Sequence, residues 1–151
     1  MATILNLIWL LFGGWLLGLV WLAGAAILAL TIIGLPWARA AFNIGLYSFW
    51  PFGHTTVNRR DLTGAEDLGT GPLGVVANII WLLVAGIWLA LGHVISAIAY
   101  AITIIGIPFA IAHLKLAEAS LLPVGKAVVT KEVAAELMRE RARRAVQQSR
   151  R

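Results

Sequence analysis

Three histidines, His54, His93 and His113, are the side chains of this 151-residue chain best suited to acid–base or metal chemistry. No spacing among them suits a shared metal site. Asp61, Glu66 and Asp67 fall in one Gly-rich stretch. They read as a solvated turn rather than as paired carboxylates in an apolar setting. The absence of cysteine excludes disulfides, zinc–cysteine sites, iron–sulfur clusters and thiol chemistry. No Ser/His/Asp set and no phosphate-binding glycine loop is visible. The chain is therefore expected to be no enzyme, with no cofactor and no metal.

His93 differs from the other two because it lies in a long apolar run. There it is either a hydrogen-bonded or interfacial helix residue, or a proton relay or pore residue. Asn6 and Asn78 recur near the start of two such runs, which suggests interhelical hydrogen bonding.

The elements that must hold these residues follow from where the charge sits. Sixty per cent of the chain is hydrophobic and 13% is charged, against about 45–50% and about 25% in a soluble domain. Two stretches, Ala2–Ala38 and Leu68–Leu114, carry no formal charge. Each exceeds the roughly 20 apolar residues that cross a bilayer. Charge in hydrocarbon is costly, so the pattern predicts an integral membrane protein. No Lys or Arg precedes the first run, and it is longer than a signal-peptide core. It is expected to be retained.

Sliding the chain by 72 positions aligns it with itself without a gap. Asn6 falls on Asn78, Trp9 on Trp81, and Thr31-Ile32-Ile33-Gly34-Leu35-Pro36 on Thr103-Ile104-Ile105-Gly106-Ile107-Pro108. Ser48, Pro51 and Gly53 fall on Ser120, Pro123 and Gly125. Coincidence of Asn, Trp, Thr, Gly and Pro in order marks an internal repeat. The expected organisation is a first unit over 1–53, a polar connector over 54–74, a second unit over 75–125 and a basic tail helix over 126–151.

N-x-x-W, then T-I-I-G-[LI]-P, then P-x-G, used twice, resembles the YccF family, which is built from an inner membrane component domain. The resemblance covers about residues 4–125. It implies a bacterial inner-membrane protein with that domain in tandem, and it implies no particular biochemical activity.

In each unit a helix-competent run, Ile4–Leu30 or Val75–Ile102, meets a break. Pro36 and Pro108 lack an N–H and clash with the preceding turn, and Gly34 and Gly106 add conformational freedom. A shorter, less apolar segment follows. Two topologies fit. Each unit is a tight hairpin, for instance Ile4–Val20 out and Leu22–Ala38 back, with Gly92-His93 at the second tip. Otherwise each long run is one tilted span, and the segment after the proline lies in the interface. The hairpin puts the connector on the side of both termini, and the tilted span puts it opposite. Gly14-x-x-x-Gly18 reads either as a packing seam or as chance in a Gly-rich span. Gly/Pro-interrupted segments matched in two halves also point to a transport site. Thr31, Gly34, Pro36, Thr103, Gly106, Pro108, His93, Asn6 and Asn78 are therefore the candidate pathway or packing residues.

The tail from Lys126 to Arg151 holds eight Lys/Arg against three Glu, leaving four against four elsewhere. The positive-inside rule places both termini in the cytoplasm. Thr130 is a plausible N-cap with Val133 at N3, and the arginines late in the helix suit its dipole. No aromatic residue is interleaved with the basic run for base stacking, so no nucleic acid is expected. The expected partners are the lipid bilayer, further copies of the chain in a homo-oligomer, and anionic lipid headgroups at the tail. The expected fold class is an all-α integral membrane protein of two tandem units, multi-pass in the bacterial inner membrane. Its expected role is structural or regulatory, through self-association or membrane partners. The alternative is a subunit of an oligomeric channel or transporter that uses the Gly-Pro breaks.

Overall fold

A computed structural model describes residues 1–149. Arg150 and Arg151, two of the eight basic residues assigned to the tail, lie outside the described residues.

Each unit is a helical hairpin. In the first, a long helix α1 (Ala2–Ala29) turns and returns as α2 (Leu35–Phe49). A strand β1 (His54–Asn58) and a short helix α3 (Arg59–Thr63) lead away. The second unit repeats this with α4 (Pro72–Ala101), α5 (Ile107–Leu121) and β2 (Lys126–Thr130), before the tail helix α6 (Lys131–Ser149). Both long helices carry a widened π turn, Leu10–Gly14 and Leu82–Gly86. In the first, Gly13 takes φ 110° and kinks the helix.

α1 and α4 are long and apolar enough to cross a membrane, and only 22% of the most apolar stretch of each is buried. A soluble core helix of such composition would be mostly buried. The outward-facing Leu, Ile, Val and Trp side chains instead suit lipid. The helical class expected from the sequence stands, with a two-stranded ribbon added. β1 pairs antiparallel with β2, from His54↔Thr130 to Asn58↔Lys126. Both strands follow P-x-G and are rich in Thr and Val, residues that favour extended backbone. The tail helix begins at Lys131, and the Val133 N–H donates to Thr130 Oγ1 at 3.4 Å as the N-cap reading requires.

The Gly92-His93 tip is corrected. His93 lies within α4, and the tips fall at the Gly-Pro breaks. The reason is local chemistry. Thr31 Oγ1 donates to Leu28 O at 2.9 Å and accepts from the Gly34 N–H at 3.0 Å. Thr103 does the same with Tyr100 O and Gly106. A Cβ on Gly34 or Gly106 would strike the carbonyl of Leu28 or Tyr100. Pro36 and Pro108 then open the return helices, where a missing N–H costs nothing. No residue near 20–22 or 92–93 can make such a turn, so helix runs through.

The N-terminus, the connector and the tail share one face of the molecule. Lys131 N–H donates to Gly53 O at 3.0 Å, Arg59 N–H to Gly125 O at 2.8 Å, and Arg141 pairs with Asp61. Ala2 lies beside Gly53. This arrangement is the one that hairpins require.

Candidate functional site

The buried polar side chains are Asn6, Ser48, His93, His113 and Ser120. Three of them, Asn6, Ser48 and Ser120, together with Asn78 and a tryptophan from each copy, do one job twice. Asn6 Nδ2 donates to Phe52 O and Asn6 Oδ1 accepts from the Phe52 N–H, both at 2.9 Å. Asn78 does the same to Val124, at 2.9 and 3.0 Å. Trp9 Nε1 donates to Ser48 O at 2.7 Å, and Trp81 Nε1 to Ser120 O at 2.8 Å. Ser48 and Ser120 bond back to the carbonyls of Ile44 and Leu116. The Ser48 and Ser120 carbonyls end α2 and α5, where helix leaves orphan groups that lipid cannot satisfy. Gly53 and Gly125, at φ 85° and 83°, then turn the chain into its strand. The motif N-x-x-W…S-x-x-P-x-G is therefore a clasp at the foot of each hairpin. The expectation for Asn6 and Asn78 is refined: their partners are backbone groups of the irregular stretch after the return helix. Gly18 packs against Phe49, so Gly14-x-x-x-Gly18 contributes to a seam inside the hairpin.

The histidines break the symmetry. His93 Nδ1 lies 3.1 Å from His113 Nδ1, and both residues are buried. Where the first unit has Trp21 and Ala41, the second has this pair. Two of the three histidines are thus brought together, a pairing that sequence reasoning missed. The fold-back of α5 onto α4 brings residue 93 opposite residue 113, and no sequence period links them. Tyr100 stacks on the His113 ring at 5.3 Å, and Trp9 meets it edge-on at 5.1 Å. Which Nδ1 donates and which accepts is set by the tautomers of the two rings. His93 also lines an apolar cavity of about 460 Å³ between the units, with Trp21, Trp81, Trp88 and Ser96. Among the described residues no three His, Cys, Asp or Glu gather as metal ligands.

Thr31, Gly34 and Pro36 close one tip, and Thr103, Gly106 and Pro108 the other. Each set bonds within its own turn. No sequence signal marks the cleft beside α2, also about 460 Å³, which Arg39, Asn43, Arg59, Asp67 and Lys126 line among apolar neighbours. Asp67 is fastened there. Arg59 Nε and Nη2 donate to its carboxylate at 2.5 and 2.8 Å, and Gly69 and Thr70 N–H groups add to it. These bonds, the Arg59 pair foremost, hold the carboxyl well below the usual carboxylate range.

The profile described as the inner membrane component domain, YccF, matches residues 4–54 and 76–126. A curated protein named "Inner membrane protein YccF" from Escherichia coli (strain K12) is 38% identical over 147 residues, covering 95% of this chain and 98% of the relative. One of the same name from Shigella flexneri matches to the same extent. No solved structure matches.

Proposed function

The chain belongs to the YccF family of inner membrane proteins, and from that premise we propose that it acts without catalysis, as a structural or regulatory membrane component working through self-association or membrane partners. One observation carries this reading. The polar residues that recur in both units are bound to the chain's own backbone. Chemistry shared by the two copies thus holds the hairpins closed, and the surface they present is apolar. Both termini lie on the cytoplasmic side, as the basic tail favours. Exposed Arg139, Arg143 and Arg144 on α6 suit anionic headgroups, each contributing about 1 kcal/mol near a charged surface.

The test is subunit counting by single-molecule photobleaching in native-like lipid particles. Several copies per particle, or a stably retained membrane protein, is the expected result. A lone chain with no partner would remove the proposal. The second reading, a subunit of an oligomeric channel or transporter, draws on the buried His93–His113 pair beside its cavity. Liposome flux that His93→Ala abolishes would favour it.

A further inference from the structure

The two hairpins cross, and the contacts that show it also limit how deep they reach. Phe109, the third residue of α5, has its ring 6.1 Å from Phe52 and 6.1 Å from Trp9, both at the foot of the first hairpin. Tyr100 Oη, near the second tip, donates to Phe12 O at 3.1 Å. The converse holds for the first tip. Trp37 Nε1 donates to Ala77 O at 3.0 Å, next to Asn78 in the foot of the second hairpin. Each tip therefore lies beside the other hairpin's foot.

Two Cα atoms whose phenyl rings are so close are at most about 14 Å apart, and the turn adds about 8 Å. The tips thus stop within about 22 Å of the feet, while the hydrocarbon core is about 30 Å thick. The charges agree. Among the described residues, all the formal charges except Arg39, Lys115 and Glu118 lie outside the two hairpins, in the layer built from the ribbon, connector and tail. The three exceptions reach that same layer. Arg39, only one turn from a tip, shares a cleft with Arg59 and Lys126. Lys115 Nζ donates to Pro51 O and His54 O, and Glu118 faces Lys126. The far end has none. Leu30, Ile32, Ile33, Ile102, Ile104 and Ile105 are 81–88% exposed. A turn delivered to water on the far side would expose polar side chains. These turns expose isoleucine and satisfy their own backbone through Thr31 and Thr103, as lipid demands.

We propose that the protein enters the bilayer from one face only, its crossed hairpins ending in hydrocarbon, with the polar layer resting on the headgroups of the entry face. Its partner surface is a single leaflet and the bilayer interior beneath it. α1 and α4 are long enough to span but are laid obliquely. This placement needs membrane residence alone and holds whatever the oligomeric state.

The chain has no cysteine, so single substitutions report position cleanly. Ile33→Cys, Ile105→Cys and, in the connector, Ala65→Cys are treated with a membrane-impermeant maleimide in intact cells and in inverted vesicles. Ala65→Cys is expected to label from one side. Ile33→Cys and Ile105→Cys are expected to label from neither side but fully after detergent, and a fluorophore attached there to be quenched several-fold by lipids brominated in mid-chain. Labelling of either tip from the side opposite Ala65 would show a complete crossing and overturn the proposal. Labelling of a tip from Ala65's own side would overturn it too, because the tip would then be in water.

Discussion

The two units share a backbone plan and differ where they meet. At the feet they are copies: Asn6 and Asn78, Trp9 and Trp81, and Ser48 and Ser120 make the same bonds to within 0.2 Å. Midway along the arms they diverge. Trp21 and Ala41 in the first unit become His93 and His113 in the second. One large ring beside a methyl has been exchanged for two rings of middle size, which suits a close-packed interior that must conserve volume. Trp21 reaches across to stack near Trp81, while His113 is met by Trp9. Residues that satisfy backbone are fixed by hydrogen-bond geometry and so recur. Residues that fill space between units need only agree with each other.

If the feet are equivalent clasps, their loss should cost most. Trp9→Ala removes a ring that is 1% exposed and the partner of a helix-terminal carbonyl, a loss of about 3–5 kcal/mol. Trp81→Ala, at 8% exposure, should cost slightly less. Thermal unfolding in a mild detergent reads both, and a large gap between them would show that the feet are not alike. Next come Asn6→Leu and Asn78→Leu. Each strands one partly buried N–H and one C=O, for about 2–4 kcal/mol, and the two values should agree within about 0.5 kcal/mol. Smaller effects are expected where the units differ. His93→Trp alone overpacks and costs about 1–3 kcal/mol, whereas adding His113→Ala copies the first unit and returns most of the loss. Failure of the double substitution to recover would mean that the histidines have a role beyond filling volume. The weakest effect is in the connector. Arg59 lowers the Asp67 carboxyl in the folded state, so its contribution is complete above the ordinary value of about 4 and is lost as pH falls through the folded one. Protease resistance between Leu62 and Leu68 should hold down to about pH 4 and fail below it, and Asp67→Asn should remove that dependence.

Much of this was legible in the sequence. Ungapped self-alignment marks the clasp residues and both breaks, because the same bonds demand the same residue types twice. The topology was only half legible. Periodicity cannot say where an apolar run of this length folds back, whereas the Thr-to-backbone bonds of the Thr31–Gly34 turn can. The ribbon carried a signal, His54-Thr55-Thr56-Val57-Asn58 facing Lys126-Ala127-Val128-Val129-Thr130, but five residues beside charges read equally well as linker. The His93–His113 pair had none, since the two residues lie on different helices and meet only once the hairpin has closed.

Crossing of the hairpins is the arrangement on which the depth and the divergent middle both depend. A spin-label distance between Ala2→Cys, at the first foot, and Ile105→Cys, at the second tip, tests it directly. Crossed hairpins place the labels about 20–25 Å apart. Hairpins standing side by side would separate them by about 40 Å, the length of a straight 28-residue helix such as α1, and that result would contradict the crossing.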